Sequence, residues 1–233
     1  MKVLAIDSST NVMGVAVTDN GMVLAEYLTQ LKLNHSVRLM PAIGQVMEEV
    51  GMSPKELDRI AVSKGPGSYT GIRIGVSIAK TLAWTLDKEL VGVSTLACLA
   101  QNGSQFPGLL VPFFDARRDR VYTGLYKKQG DKIESIEEDQ IAPVEIWLEK
   151  LAATDEPCFF IGQDVLQFKE LIREKLGTRA VFAPSSLNVP RPSELALLAE
   201  SLSPVPSIHH FVPDYLQLAE AEAKWQARQK ESN

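Results

Sequence analysis

Along the first hundred residues the hydrophobic pattern switches between a period of two and a helical period, with polar or glycine punctuation at each switch. Val3 to Ile6 is an apolar strand that ends in Asp7-Ser8-Ser9-Thr10. Val12 to Val17 alternates small apolar and polar residues, Asp19-Asn20-Gly21 is an Asn-Gly hairpin signal, and Met22 to Thr29 returns as a third strand. A helix is predicted from Ser36 to Val50, its apolar face made by Leu39, Ile43, Val46, Met47 and Val50 and widened by Met40. Gly51 stops it, and Pro41 predicts a late start or a kink. Ser53-Pro54-Lys55-Glu56 is a capping box opening a short helix, followed by a strand at 60 to 62. The stretch KGPGSYTGIRIG, residues 64 to 75, then turns into a helix from Gly71 to Leu86. Gly71, Gly75, Ala79 and Ala83 fall four apart and make a ridge of small residues, while Ile74, Ile78 and Leu82 supply ordinary core contacts. A strand at Leu90 to Val93 and a helix from Ser94 to Asn102, stopped by Gly103, complete a β-β-β-α-β-α-β-α order.

Beyond Pro107-Gly108 the same order begins again. Leu109 to Phe114, Val121 to Tyr126 and Lys132 to Glu137 read as strands, separated by the charged turn Asp115-Ala116-Arg117-Arg118-Asp119-Arg120 and by Gln129-Gly130-Asp131. Helices follow at Val144 to Ala152 and Val165 to Leu176, with strands at Cys158 to Ile161 and Ala180 to Phe182. Pro192 to Leu202 is a helix, Ser203 to Pro213 a proline- and serine-rich loop, and Leu218 to Lys230 a terminal helix. The repetition predicts an α/β fold of two duplicated lobes, residues 1–106 and 107–233, with the terminal helix able to pack back on the first.

Composition narrows the partners more than the fold. Apolar residues make up 45% and charged residues 23% of 233, an ordinary globular balance. The net charge of -5 disfavours nucleic-acid binding by the chain alone, which usually needs a basic patch. No signal-peptide pattern or membrane-length apolar run is present, and Cys98 and Cys158 both sit in apolar segments, so the expectation is a reducing, cytoplasmic setting with two buried thiols.

Two readings of residues 64 to 75 stand side by side. A glycine-rich strand-to-helix turn offers backbone N–H groups and a helix N-terminus to phosphate, and with Asp7, Ser8, Ser9 and Thr10 it would form a nucleotide site through Gly65, Gly67 and Ser68. The same glycines would equally serve close packing, as would the ridge at Gly75, Ala79 and Ala83. Known phosphate motifs do not fit: Gly71 is followed by Ile72 and Arg73 where a P-loop needs lysine, and a dinucleotide fingerprint would need glycine at position 70. His35, His209 and His210 lack zinc-ligand spacing, and no G-x-S-x-G elbow is present. The DARRDR turn is either an anion site or a self-paired, solvated surface. No complete catalytic constellation emerges.

Four stretches together carry a resemblance: VLAIDSST at 3 to 10, KGPGSYTGIRIG at 64 to 75, GVSTLACLA at 92 to 100 and FFDARRDRVY at 113 to 122. The chain resembles the bacterial TsaB (YeaZ) family from end to end. The resemblance implies the two-lobed actin-like, sugar-kinase-like (ASKHA) fold, with a βββαβα order duplicated. It implies a subunit needed to form N6-threonylcarbamoyladenosine beside the anticodon of transfer RNA. In the related catalytic protein, TsaD, two histidines of a G-V-N-H-x-E-G-H-like segment bind metal. Thr95 and Leu99 stand in their places here, which implies a non-catalytic paralogue with no metal.

The partners implied are TsaD as a heterodimer, TsaE in a larger complex, transfer RNA only through that complex, and a homodimer when alone; no membrane is involved. The expected partner surface lies on the first lobe's helices at Leu39, Ile43, Met47, Gly75, Ala79 and Ala83. No cofactor is required, weak nucleotide binding being the open alternative. Pro213-Asp214-Tyr215-Leu216-Gln217 resembles a family P-x-Y-L-R element with glutamine in place of arginine. The competing classes are a sugar-kinase-like phosphotransferase or weak ATPase using Asp7, Thr10 and the glycine-rich turn, and, last, a peptidase.

Overall fold

The computed structural model describes residues 1–31 and 34–217; the terminal helix expected at Leu218 to Lys230 lies outside them. The strands are β1 (Lys2–Asp7), β2 (Met13–Asp19), β3 (Met22–Thr29), β4 (Arg59–Gly65) and β5 (Glu89–Ser94), with helices α1 (His35–Glu49), α2 (Tyr69–Leu86) and α3 (Thr95–Gln101). The second set is β6 (Leu109–Asp115), β7 (Arg120–Gln129), β8 (Lys132–Pro143), β9 (Cys158–Ile161) and β10 (Ala180–Phe182), with α4 (Val144–Ala152), α5 (Lys169–Leu176) and α6 (Pro192–Ser201). The sheets are ordered β3-β2-β1-β4-β5 and β8-β7-β6-β9-β10. In each, a three-stranded antiparallel meander is extended by two parallel strands. The repeated order read from the sequence is therefore a repeated topology, and the chain is a two-lobed α/β protein.

Alternation along β1 divides the first sheet into a large-residue face and a small-residue face. Leu4 and Ile6 join Val15, Val17, Ile60 and Val62 under α1 and α2. Val3 and Ala5 join Ala16 and Ala61 on the other face, where small side chains let Leu195, Ala196 and Ala199 of α6 come close. The second sheet buries Val111, Phe113 and Phe160 against Trp147 and Leu148 of α4 and Ile172 of α5. Its opposite face, through Leu110, Phe114 and Phe159, receives Leu96, Leu99 and Ala100 of α3. Each half of the chain thus lends a helix to the other's sheet: α3 goes forward and α6 comes back.

The α6 helix is held at both ends by residues of the first sheet. At its N-terminus Glu26 of β3 accepts from the Ser193 backbone N–H (3.0 Å) and hydroxyl (2.6 Å), and pairs with Arg191. At its C-terminus the buried Arg59 guanidinium of β4 donates to the carbonyls of Ala199 and Leu202, and its other face pairs with Glu89. An acid at the N-terminus and a cation at the C-terminus both complement the helix dipole.

Some local readings change. Pro41 lies inside a continuous α1 that starts at His35, on the exposed side where water can serve the carbonyl that lacks its usual N–H partner. Met40 is 45% exposed and does not widen the apolar face. The helix expected from Val165 begins as a 3₁₀ turn, Val165–Phe168, before α5. The strand expected to end at Glu137 runs to Pro143, since β8 pairs with β7 through its acidic stretch as far as Arg120. Both cysteines are buried and unbridged, and burial pushes the Cys98 thiol well up.

Candidate functional site

The turn after β1 and the turn between β4 and α2 meet face to face, and the segment 203–217 clasps the second of them. Asp7 ends β1 fully buried; its Oδ1 accepts from the Ser9 backbone N–H (2.8 Å) and hydroxyl (2.7 Å), while its Oδ2 has no partner among the described residues. Burial raises its carboxyl above the ordinary value, against the pull of the Ser9 hydrogen bonds. Ser8 Oγ donates to the Gly71 carbonyl at 2.8 Å, and the Ser68 N–H donates to the Ser9 carbonyl at 2.6 Å. Thr10 is less buried: its hydroxyl accepts from the Val12 N–H and its carbonyl meets His35 Nε2 at 3.1 Å.

The glycines are consumed by this contact. A side chain at Gly67 or Gly71 would overlap the carbonyl oxygens of Ser9 and Ser8, and a Cβ at Gly75 would lie 2.6 Å from Ser8 Oγ. Gly65, at φ +115, would place its Cβ 2.7 Å from the Asp214 carbonyl. The peptide between Gly65 and Pro66 is cis. Ser68 caps α2, its hydroxyl accepting from the Gly71 N–H at 3.3 Å. Asp7, Ser8, Ser9, Gly67 and Ser68 are therefore brought together, but around one another, with backbone atoms filling the space that glycine leaves, while Thr10 turns to Val12 and His35 and Gly65 to Asp214.

The segment 203–217 runs as a strap along the first lobe. Val205 bonds to the Leu90 carbonyl, Lys80 Nζ donates to the carbonyls of His209 (2.9 Å) and Phe211 (2.7 Å), and the His209 ring packs tilted against Trp84. The Phe211 ring covers Gly92, where a Cβ would come within 2.5 Å of it. Asp214 donates its N–H to the Lys64 carbonyl at 2.7 Å and pairs with the Lys64 ammonium at 3.4 Å. Tyr215 packs on Tyr69 and accepts from Arg73 Nε, and Gln217 reaches the Tyr122 hydroxyl of the second sheet at 3.3 Å. The glutamine standing for the family arginine here accepts a hydrogen bond, which a guanidinium could not do.

A carboxylate bridging the lobes was not legible in the sequence. Asp139 of β8 accepts from Ser94, at the end of β5, and from Tyr126 of β7. Burial pushes Asp139 up, and both its oxygens are engaged. It lay past the expected end of its strand, in a run of acids that reads as a solvated face. Only its place at the lobe junction gives it a role.

The six residues expected at a partner interface sit in the first lobe's own core: Ala79 and Ala83 are 0% exposed, and Leu39, Ile43, Met47 and Gly75 are also buried. The small-residue ridge faces Ser8 and Val62 of this chain. The outward side of the same helices carries Val37, Met40, Tyr69 and Trp84, and a shallow groove between them is lined by Ser36, Arg73, Ile74 and Ser77. Thr95 and Leu99 are both fully buried in α3. Among the described residues no helix is long and apolar enough to cross a membrane.

Comparison with known proteins adds four findings. A family model described as TsaD, tRNA N6-adenosine threonylcarbamoyltransferase, matches residues 23–225. The tRNA threonylcarbamoyladenosine biosynthesis protein TsaB of Bacillus subtilis is 48% identical over 99% of this chain and 100% of its own length. The protein of the same description from Escherichia coli is 33% identical over 57% of this chain and 58% of its own. The solved structure of YeaZ from Pseudomonas aeruginosa superposes with a TM-score of 0.76 at 28% identity, covering 92% of this chain and 99% of that one.

Proposed function

The chain belongs to the TsaB family of tRNA threonylcarbamoyladenosine biosynthesis proteins and carries a TsaD-type domain, and from that premise we propose that it is a non-catalytic subunit that pairs with and activates TsaD. TsaE joins this pair, transfer RNA is met through the assembly, and the setting is cytoplasmic. The observation that carries the reading is the burial of Thr95 and Leu99. These positions, which match the metal-binding histidines of the catalytic relative, are 0% exposed: Leu99 packs between α3 and the second sheet, and the Thr95 hydroxyl is buried with no partner among the described residues. Neither side chain can present a ligand to a cleft.

Two further features support this reading over a phosphotransferase. The glycine-rich turn is packed between Ser8, Ser9 and Asp214, and the Lys64 ammonium near it is paired with Asp214. The carboxylate at the lobe junction, Asp139, has both oxygens occupied as acceptors and is not a free base. We place the partner surface on the exposed faces of α1 and α2, and the lobe division near Pro107, with α6 and the strap resting on the first lobe.

Reconstitution tests the proposal: TsaD and TsaE with a donor-making enzyme and transfer RNA, with and without this chain. Modification is expected to depend on the chain, while the chain alone turns nothing over. Equal modification without it, or turnover by the pure chain, would overturn the reading.

A further inference from the structure

The β6–β7 turn holds three arginines on a backbone that the fold makes costly. Arg117, Arg118 and Asp119 all have positive φ, at 65°, 55° and 53°. A non-glycine residue in this region costs about 1 kcal/mol or more, and glycine or asparagine would serve the turn better. The turn is nonetheless well determined: Ala116 donates to the Arg120 carbonyl (2.9 Å), Arg120 to the Arg117 carbonyl (3.2 Å), and Val144 to the Asp119 carbonyl (2.9 Å). What the arginine side chains do inside the molecule does not offset that cost. Arg117 and Arg118 are exposed and Arg120 is half-buried, and among the described residues none of the three guanidiniums makes a hydrogen bond or an ion pair.

The self-paired surface that the alternating charges suggested is therefore not what forms. Three carboxylates lie around the turn. Asp115 accepts from the Arg117 backbone N–H (2.8 Å), and Asp164 accepts from the Asp115 N–H (3.0 Å) and from Gln167. Both face into the turn's backbone, and Asp119 alone is exposed beside the arginines. In a chain of net charge -5, this turn concentrates three arginines within four residues, two exposed and one half-buried.

We propose that Arg117, Arg118 and Arg120 form a phosphate-backbone contact for RNA, through which this chain helps the assembled modification complex hold its transfer RNA. Three arginines within four residues, with no ion pair among the described residues, suit successive phosphates of a polyanion, each released counterion steepening the salt dependence of binding. The half-buried Tyr122 on the adjoining strand, bonded to Gln217 of the strap, fixes the base of the turn to the lobe junction. The inference rests on the family reading above for the identity of the nucleic acid.

The test uses the complete complex and transfer RNA, comparing the wild type with the triple variant Arg117→Asn, Arg118→Asn, Arg120→Gln. Asparagine tolerates the left-handed backbone, so the turn is kept. Affinity is measured across a salt series, with thermal melting and gel filtration as controls. We expect weaker binding and a log–log salt slope shallower by about 2 to 3, an unchanged melting temperature and intact assembly, with most of the binding restored by lysine at all three positions. An unchanged slope overturns the proposal, and so does loss of assembly, which would make the turn a protein contact. Should the triple variant melt early, the single variant Arg118→Asn at the exposed tip decides, with an expected slope change of about 1. Failure of the family reading shows separately, as transfer-RNA modification that proceeds without the wild-type chain.

Discussion

The hydroxyl of Ser8 donates to the carbonyl of Gly71 at 2.8 Å, while the carbonyl of Ser8 occupies the space a side chain at Gly71 would need. The two turns interlock through backbone, so each residue specifies the other. Gly71→Ala and Gly75→Ala gain up to about 1 kcal/mol of helix propensity but force overpacking against Ser8. We expect a net destabilisation of about 1–3 kcal/mol for each, larger at position 71. Gly44 in α1 has open space around it, so Gly44→Ala should stabilise by about 0.5–1 kcal/mol. Chemical denaturation of the three variants checks the contrast.

Glu26 ties β3 to the N-terminus of α6. Burial would raise its carboxyl, but the hydrogen bonds from Arg191 and Ser193 outweigh burial and hold it below the ordinary 4.5. Its contribution is therefore full above that value and is lost as pH falls through the lower folded one. Glu26→Ala should cost about 1–2 kcal/mol at neutral pH, and the gap to the wild type should close in acid. Thermal melting across that range measures it.

Asp139 has the opposite sign. Its folded value is raised by burial above the ordinary 3.8, so the folded state binds the extra proton and stability from this group falls as pH rises through that interval. Asp139→Asn removes the buried charge and keeps one acceptor. Relative to the wild type, the variant should gain melting temperature as pH rises from the ordinary value of 3.8 through the raised folded one. A constant difference across the series would contradict this.

Ala79 is fully buried, and Ala79→Trp should unfold the first lobe before it informs on pairing. Val37, 67% exposed on α1, and Ser77, exposed on α2, are the better probes. Val37→Glu and Ser77→Arg should change stability by less than about 0.5 kcal/mol and weaken co-elution with TsaD. Undiminished pairing would move the interface elsewhere.

The strap depends on Lys80, whose ammonium holds two of its carbonyls. Lys80→Met should leave the melting of both sheets intact and raise the rate of proteolytic cleavage between 203 and 217. Unchanged cleavage would mean that Phe211 on Gly92 and Tyr215 on Tyr69 suffice.

Periodicity and turn signals determined most of the strands and helices and their duplicated order, because alternation and helical spacing are local consequences of which face is buried. VLAIDSST and GPGSYTGIRIG likewise marked the family without any coordinates. What sequence left open was the use of the glycines, since a turn that cradles phosphate and a turn that packs on backbone demand the same absence of side chains. The approach of Ser8, Ser9 and Asp214, all distant along the chain, shows close packing against these glycines. The small-residue ridge suited either close packing or a partner by pattern and is inward-facing by topology, because α2 turns that side to the β1 turn. Asp139 and the arginine turn reverse the lesson. Each reads as solvated charge in one dimension, and the fold buries the first at the lobe junction and leaves the second with no partner of its own.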